Sequence, residues 1–148
     1  MDAKLPDIAV AEHLADRIAG VSRLPDAVRA KCEETLIDVI GLCLAARNED
    51  YVRAVLNGWD DDGPCTAIGH ARTMTAAGAA FVNGTAAHGE DFDDTFEGGP
   101  VHAGAVIVPA VLAACERHNP DGPSALLGIA VGVEVICRRA PRANARIC

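Results

Sequence analysis

The stretch LPDAVRAKCEETLIDVIGLCLAA, residues 24–46, shows most directly how this chain folds. Its apolar residues recur at three- and four-residue steps, the spacing of one face of an α-helix. They are Val28, Cys32, Leu36, Val39, Ile40, Cys43 and Leu44. Leu24-Pro25-Asp26 is a typical helix start, with Pro25 at the first helical position. The stretch therefore predicts one long helix that ends near Ala46.

Helical periodicity also dominates the rest of the chain. Further helices are predicted over residues 7–21, 51–59, 75–88, 105–117 and 124–139. Ser124 is expected to cap the last helix, and Pro109 to kink the preceding one or lie in its first turn. Because the last helix is apolar nearly all round, we expect it in the domain interior. A short extended piece is expected at 65–69, after the breaking sequence DDDGP.

The composition is that of an ordinary globular chain of one domain's length. It has 148 residues, of which 50% are hydrophobic but only 3% aromatic, so Ala, Val, Leu and Ile must build the core. Such a core is typical of closely approaching helices, and the predicted fold class is all-α. The net charge of −8 argues against nucleic acid and against a membrane surface as partners, because both select a basic surface.

The six cysteines form no pattern that indicates disulfides or zinc, since there is no CxxC pair and no typical Cys/His spacing. Cys32 and Cys43 fall on the apolar face of one predicted helix, and Cys115 and Cys137 lie in apolar stretches. We interpret them as buried, reduced thiols. The first residues, MDAKLPDIAV, lack the charged and apolar regions of a secretory signal, so a cytoplasmic location is predicted.

The segment NGTAAHGEDFDDTFEGGPVHAGAVIVP, residues 83–109, carries most of the functional information. It crowds five acids and two histidines into a stretch without any Lys or Arg: Glu90, Asp91, Asp93, Asp94, Glu97, His88 and His102. Uncompensated acids are expensive to bury. They therefore lie either in solvent, as charge runs usually do, or around a cavity where a partner offsets them.

The position of these acids between two predicted buried helices favours the cavity, because a loop with fixed ends can hold catalytic groups. Asp91, Thr95 and His102 can bring a carboxylate, a hydroxyl and an imidazole to one pocket for acid/base work. His88 is the weaker candidate, since a hydrogen-bonded structural histidine fits that position equally well. Three other histidines have surface-like surroundings and are assigned no role: His13, His70 and His118.

The chain resembles the MmgE/PrpD family, which includes 2-methylcitrate dehydratase and cis-aconitate decarboxylase. NGTAAHGEDFDDT, followed by GGPVHAGAVIVPAVLA with a histidine seven residues after the threonine, carries the resemblance. IAVAEHLADRIAGV, LPDAVRAKCEETLIDVIGLCLA and GIAVGVEVICR extend it over residues 6–138.

This resemblance implies the first part of a large helical domain, homodimers in the full-length family, and acid/base lyase chemistry on small polycarboxylates. It implies no cofactor and no metal. It also implies that the catalytic positions are Asp91, Thr95 and His102.

The end of the chain departs from this family pattern. RRAPRANARIC, residues 138–148, lacks the expected continuation, so residues 139–148 are interpreted as a non-family tail and the chain as a truncated helical domain without the lid domain. Only two lysines, Lys4 and Lys31, are present. Because a polycarboxylate substrate needs fixed positive charge, we expect this short chain to be inactive alone.

Two alternatives stay open at this point. Asp93-Asp94-Thr95-Phe96-Glu97 is a DDxxE sequence like the metal–diphosphate motif of all-α synthases, although a second acidic motif is missing. In the other alternative, the chain is a non-catalytic helical fragment or subunit whose apolar faces need a partner.

Overall fold

The structure, a computed structural model, describes residues 10–139 and contains six helices and one small sheet in that range. The elements are α1 (Val10–Ala19), α2 (Asp26–Ala46), α3 (Asp50–Gly58), β1 (Asp62–Thr66), β2 (Thr73–Met74), α4 (Ala76–His88), α5 (Ala103–His118) and α6 (Gly122–Arg139). The predicted predominance of helix is confirmed. The expected start of the first helix at residue 7, and most of the tail at 139–148, lie outside the described residues.

A two-stranded antiparallel sheet is the feature that a purely helical prediction misses. Cys65 lies opposite Met74, and Thr66 opposite Thr73. The sequence predicts an extended piece at 65–69, whereas residues 67–71 form the turn between the strands. Gly69 has a φ of +83° in this turn, which a residue without a Cβ adopts at no steric cost. Strand pairing is a contact between distant residues, and helical periodicity cannot reveal it.

The core lies where α2, α4 and α5 meet. Three fully buried valines mark its centre, one from each helix: Val39, Val82 and Val108. α4 approaches α5 so closely that a Cβ on Gly84 would lie 3.0 Å from the carbonyl oxygen of Ala105. That carbonyl has no helical amide donor, because Pro109 occupies the position four residues later, inside α5 and beyond its first turn. The small residues of α4 therefore permit the tight crossing.

Two helix starts differ from the prediction in the residue that caps them. Pro25 has an extended conformation (φ −57°, ψ 146°) and is the N-cap of α2, not its first helical residue. Asp121, rather than Ser124, caps α6, because its Oδ1 accepts a 2.9 Å hydrogen bond from the backbone N–H of Ser124. Hydrogen bonding from Ser124 lowers the pKa of the Asp121 carboxyl. An aspartate three residues ahead of a serine is an equally good sequence signal.

The predicted burial of α6 is wrong for most of its length. Ile129 is buried, but the other large apolar side chains of this helix remain partly exposed: Leu126, Leu127, Val131, Val133, Val135 and Ile136. α6 packs mainly against α5 and α2, which leaves much of its apolar surface only partly covered. Despite this apolar character, no helix within residues 10–139 combines the length and hydropathy needed to cross a bilayer.

The cysteines within the described residues are free thiols, in agreement with the sequence interpretation. Cys32, Cys43 and Cys65 are buried, while Cys115 and Cys137 are half-buried. Burial raises the pKa of the Cys43 thiol to about 11, and its Sγ donates to the carbonyl oxygen of Asn83 at 3.2 Å. Cys43 therefore behaves as a small core residue.

Candidate active site

The acidic segment forms the loop between α4 and α5, as predicted, and its backbone is fixed at both ends. Asp91 adopts a left-handed conformation with a φ of 57°, and its N–H donates to the carbonyl oxygen of His88 at 2.9 Å. Farther along, the N–H of Phe96 donates to the carbonyl oxygen of Val101 at 2.9 Å. At the far end, Asp94 Oδ1 accepts a 2.8 Å hydrogen bond from the N–H of Gly104, in the first turn of α5.

Asp93 is the centre of the site. Its side chain is completely buried, although it carries a carboxylate. His88 Nδ1 lies 3.0 Å from Oδ1 and 3.2 Å from Oδ2. His102 Nδ1 lies 3.3 Å from the same Oδ1, and the two imidazole rings are 4.6 Å apart between centroids. The hydrogen bond with His88 and the nearby His102 imidazole thus partly offset the cost of burying this acid.

His102 is the N-cap residue of α5, and its ring is 25% exposed. Its Nε2 lies 3.6 Å from Asp91 Oδ1. Its Nδ1 is buried and has no hydrogen-bond partner in the described part of the chain, even though Asp93 is near. The 3.3 Å approach to Asp93 is an electrostatic contact, because a hydrogen bond also requires a favourable angle. The ring is therefore held between two carboxylates, with one edge open to solvent.

The three predicted site residues are only partly brought together. Asp91 and His102 are neighbours, with Asp91 77% exposed beside the imidazole. Thr95 is exposed, and its hydroxyl makes no hydrogen bond among residues 10–139. Its role in holding a substrate stays a prediction.

The sequence does not reveal the central position of Asp93 or the approach of His88 to it. Five acids of the same loop look alike in the sequence, and only the fold shows which one is buried. One sequence signal could have indicated this contact. Asp93 follows His88 by five residues, just after a predicted helix end, and this spacing allows the chain to fold back so that Asp93 contacts the last helical turn. Asp94 was also missed, and it fastens the loop to α5.

The remaining histidines lie outside this cluster. His13 and His118 are exposed, as expected. His70 is half-buried in the β1–β2 turn, and its Nε2 is buried without a partner in the described range, so the expectation of surface-like surroundings is wrong for it. The turn that buries His70 follows from the strand pairing, which the sequence did not reveal.

A pocket of about 830 Å³ opens beside the two imidazoles. Its walls come from α4, α5 and α6, with Phe81, Val106 and Ile136 as the large apolar side chains. His88 and His102 supply its ionisable groups, and no Lys or Arg is among the lining residues of the described chain. The pocket is therefore apolar with a polar, proton-exchanging end, which is typical of small-molecule sites.

The same side chains have the chemistry to hold a cation. His88, Asp91, Asp93 and His102 each offer one ligand atom, and these four atoms lie within 4.8 Å of one another. By contrast, the arrangement does not favour the DDxxE alternative. Asp93 faces two imidazoles, and Asp94 caps α5, so these two carboxylates do not form a shared face for a metal–diphosphate complex.

The link between Asp94 and α5 gives a stability prediction. Replacing Asp94 with Ala removes the acceptor for the Gly104 N–H at a helix start, and we expect the free energy of unfolding to fall by about 1 kcal/mol. Urea denaturation followed by circular dichroism measures this change. Glu97→Ala is the matched control, because Glu97 is an exposed acid of the same loop. Equal stability of the two variants would contradict a capping role.

A helical domain with paired imidazoles and buried acid at the end of an apolar pocket defines a candidate acid/base site. The family described as the MmgE/PrpD N-terminal domain matches residues 12–146. The chain belongs to this family, and the match includes most of the segment that the sequence analysis set apart as a tail.

Individual relatives agree with this family. The cis-aconitate decarboxylase-like protein oryM of Aspergillus oryzae is 27% identical over 123 residues, which are 76% of this chain and 26% of the relative. The cis-aconitate decarboxylase of Aspergillus terreus is 28% identical over 114 residues, which are 74% of this chain and 23% of the relative. The matched part of the chain thus corresponds to about a quarter of each relative's length.

Proposed function

We propose that this chain contributes the proton-transfer part of an active site that dehydrates or decarboxylates a small tricarboxylate of the 2-methylcitrate or cis-aconitate type. The observation that carries the proposal is the pair of imidazoles held at 3.0 and 3.3 Å from the buried Asp93 carboxylate, at the end of the pocket. Membership of the MmgE/PrpD family and the printed names of the relatives support the choice of substrate class.

In this proposal, His102 is the general acid or base. A carboxylate next to Nδ1 favours the tautomer with the proton on that nitrogen, which leaves Nε2 free to accept a proton. Asp93 then acts as a positioning residue through His102, and Asp91, 3.6 Å from Nε2, receives or returns the proton. Thr95 is proposed to position a substrate carboxylate once the substrate is bound.

The pocket by itself does not neutralise such a substrate. A tricarboxylate carries up to three negative charges, whereas the described pocket lining contains no Lys or Arg. Fixed positive charge is needed both for binding and for the negative charge that develops during the reaction. We therefore propose that cations from outside the described residues complete the site, and that the full-length family member acts as a homodimer on its substrate.

The proposal makes a prediction about metals, because it assigns proton transfer and binding to protein side chains. Turnover by a full-length family member should fall by less than about twofold on dialysis against EDTA. The assay follows loss of cis-aconitate or 2-methylcitrate before and after chelation, with the buffer alone as control. Loss of turnover that Mg²⁺ restores would contradict this assignment, because a divalent cation would then take part in binding or catalysis.

A non-catalytic helical subunit is the second candidate, and exposed apolar side chains favour it. Phe92 is 77% exposed, Ile37 72% and Val106 56%. Ile37 and Val106 lie on α2 and α5 and Phe92 in the loop between α4 and α5, and exposed apolar residues that form one contiguous patch are typical of surfaces that another protein covers. Size-exclusion chromatography combined with circular dichroism distinguishes the outcomes: obligate association supports this candidate, while a folded monomer contradicts it.

A further inference from the structure

We propose that His88, Asp91, Asp93 and His102 form a zinc site, here called the histidine–aspartate cluster. Zinc binding goes beyond the proposed lyase function and does not depend on it. The proposed ligands come from two helix ends and the loop between them. They therefore do not form the short Cys/His spacing that is typical of zinc sites in a sequence. Only the fold brings His88 and His102, fourteen residues apart, to the same carboxylate.

Two distances in the cluster are close to those of a tetrahedral zinc site. Bonds of about 2.0–2.2 Å to nitrogen and oxygen place neighbouring ligand atoms roughly 3.3–3.6 Å apart. His88 Nδ1 and His102 Nδ1 lie 3.0 and 3.3 Å from Asp93 Oδ1, and the ligand atoms of all four residues lie within 4.8 Å of one another. An ion held through His102 Nδ1 would also require Asp91 to rotate, because its Oδ1 contacts His102 Nε2 at 3.6 Å, and the 77% exposed Asp91 side chain has room for this.

The unsatisfied chemistry of the cluster is a second, independent argument. His102 Nδ1 is buried without a hydrogen-bond partner in the described residues, although the fully buried Asp93 carboxylate lies beside it. Zinc binding at this nitrogen releases its proton, and the bound cation then stabilises both the freed lone pair and the negative oxygen next to it. With neutral imidazoles, the two aspartates give the cluster a charge of −2, and no Lys or Arg lies between Thr73 and Glu116 to compete.

The donor set selects among metals. Two imidazoles with two carboxylates suit zinc, which accepts nitrogen and oxygen in four-coordinate sites. Mg²⁺ prefers oxygen ligands in a nearly octahedral arrangement and dehydrates reluctantly, so we expect it to bind much more weakly. Zinc held by His102 would also occupy the imidazole used in the proposed lyase reaction. We therefore expect zinc to inhibit lyase turnover. This inhibition rests on the proposed function, whereas zinc binding does not.

The test measures zinc binding to the reduced 148-residue chain by isothermal titration calorimetry, and Co²⁺ binding by visible absorption. We expect one ion per chain and an absorption spectrum of tetrahedral cobalt with nitrogen and oxygen ligands. His102→Ala and Asp93→Asn should each weaken zinc binding by about a hundredfold, because loss of a mere outer-shell partner already costs 10- to 100-fold. Mg²⁺ serves as the negative control ion.

His118→Ala is the matched control variant. His118 is the last residue of α5, and His102 is the N-cap of the same helix. At 1.5 Å per residue the two lie roughly 24 Å apart, so His118→Ala should leave zinc affinity unchanged. Asp91→Asn guards against a folding artefact, because Asp91 is 77% exposed and its replacement should not disturb the fold. The zinc affinity of this variant should fall at least about tenfold while its circular dichroism spectrum stays unchanged. Wild-type affinity in the Asp91 and His102 variants, absence of zinc binding, or a thiolate charge-transfer band of cobalt would each overturn the proposal.

Discussion

The 148-residue chain alone is expected to turn over 2-methylcitrate or cis-aconitate at least about a thousandfold more slowly than a full-length family member. The pocket ends in His88 and His102, with Asp91 and Asp93 directly behind the His102 imidazole, and its described lining offers no cation to a substrate with up to three negative charges. Like charges about 4 Å apart repel by roughly 4 kcal/mol at an effective dielectric constant near 20. At about 1.4 kcal/mol per factor of ten, this penalty corresponds to a thousandfold loss of binding.

The comparison requires equal site concentrations and a folded chain, which circular dichroism verifies through the helix content. Raising the substrate concentration should not recover the rate, because saturation would lie far above the range used for the full-length relative. Robust turnover by the short chain, abolished by His102→Ala, would show that residues of this chain supply the positive charge. The arginines at 138–148 would then be the first to replace.

Substitution by alanine of the histidine corresponding to His102 in a full-length relative is expected to lower kcat by about a hundredfold or more. This loss is the usual contribution of a general acid or base that is positioned against the reacting group. The effect should fall mainly on kcat rather than on KM, because the imidazole acts in the transition state and the substrate carboxylates bind elsewhere. Steady-state kinetics at saturating substrate measures the change.

The matched control is alanine substitution of an exposed histidine of the same relative outside the site, which should leave kcat unchanged. The counterpart of Asp93, changed to Asn, separates positioning from proton transfer. It should lower kcat while the histidine remains in place, because a neutral amide no longer favours one tautomer of the ring. A variant at the His102 position with wild-type kcat would exclude the role proposed for this residue.

How far the sequence predicts the fold depends on the range of the interactions. The long helix α2 follows directly from its apolar spacing, and α4 and α5 from small-residue runs on either side of the acidic loop. The ribbon of β1 and β2 was not predictable in the same way, because it depends on pairing across a turn. The burial of α6 was overestimated. The apolar sequence of a helix indicates that other elements pack against it, but not how many of them do.

For the site, the sequence identifies the loop and the pair of Asp91 and His102, which lie side by side in the structure. It does not identify Asp93 as the buried centre, because burial of one acid among five is a property of the folded backbone. Nor does it distinguish Asp94, whose carboxylate caps α5 rather than facing the pocket. The local sequence therefore locates the candidate loop, whereas the tertiary arrangement shows which of its acids is buried and which is exposed.

The crystal structure of a full-length family member with a bound tricarboxylate is the most direct test of the proposed site. The account predicts that a reacting atom of the ligand lies within roughly 3.5 Å of the imidazole corresponding to His102, in the pocket between α4 and α5. Its carboxylates should contact lysines or arginines outside the matched residues. A tricarboxylate bound away from this imidazole, or held by cations from within the matched part, would contradict the account.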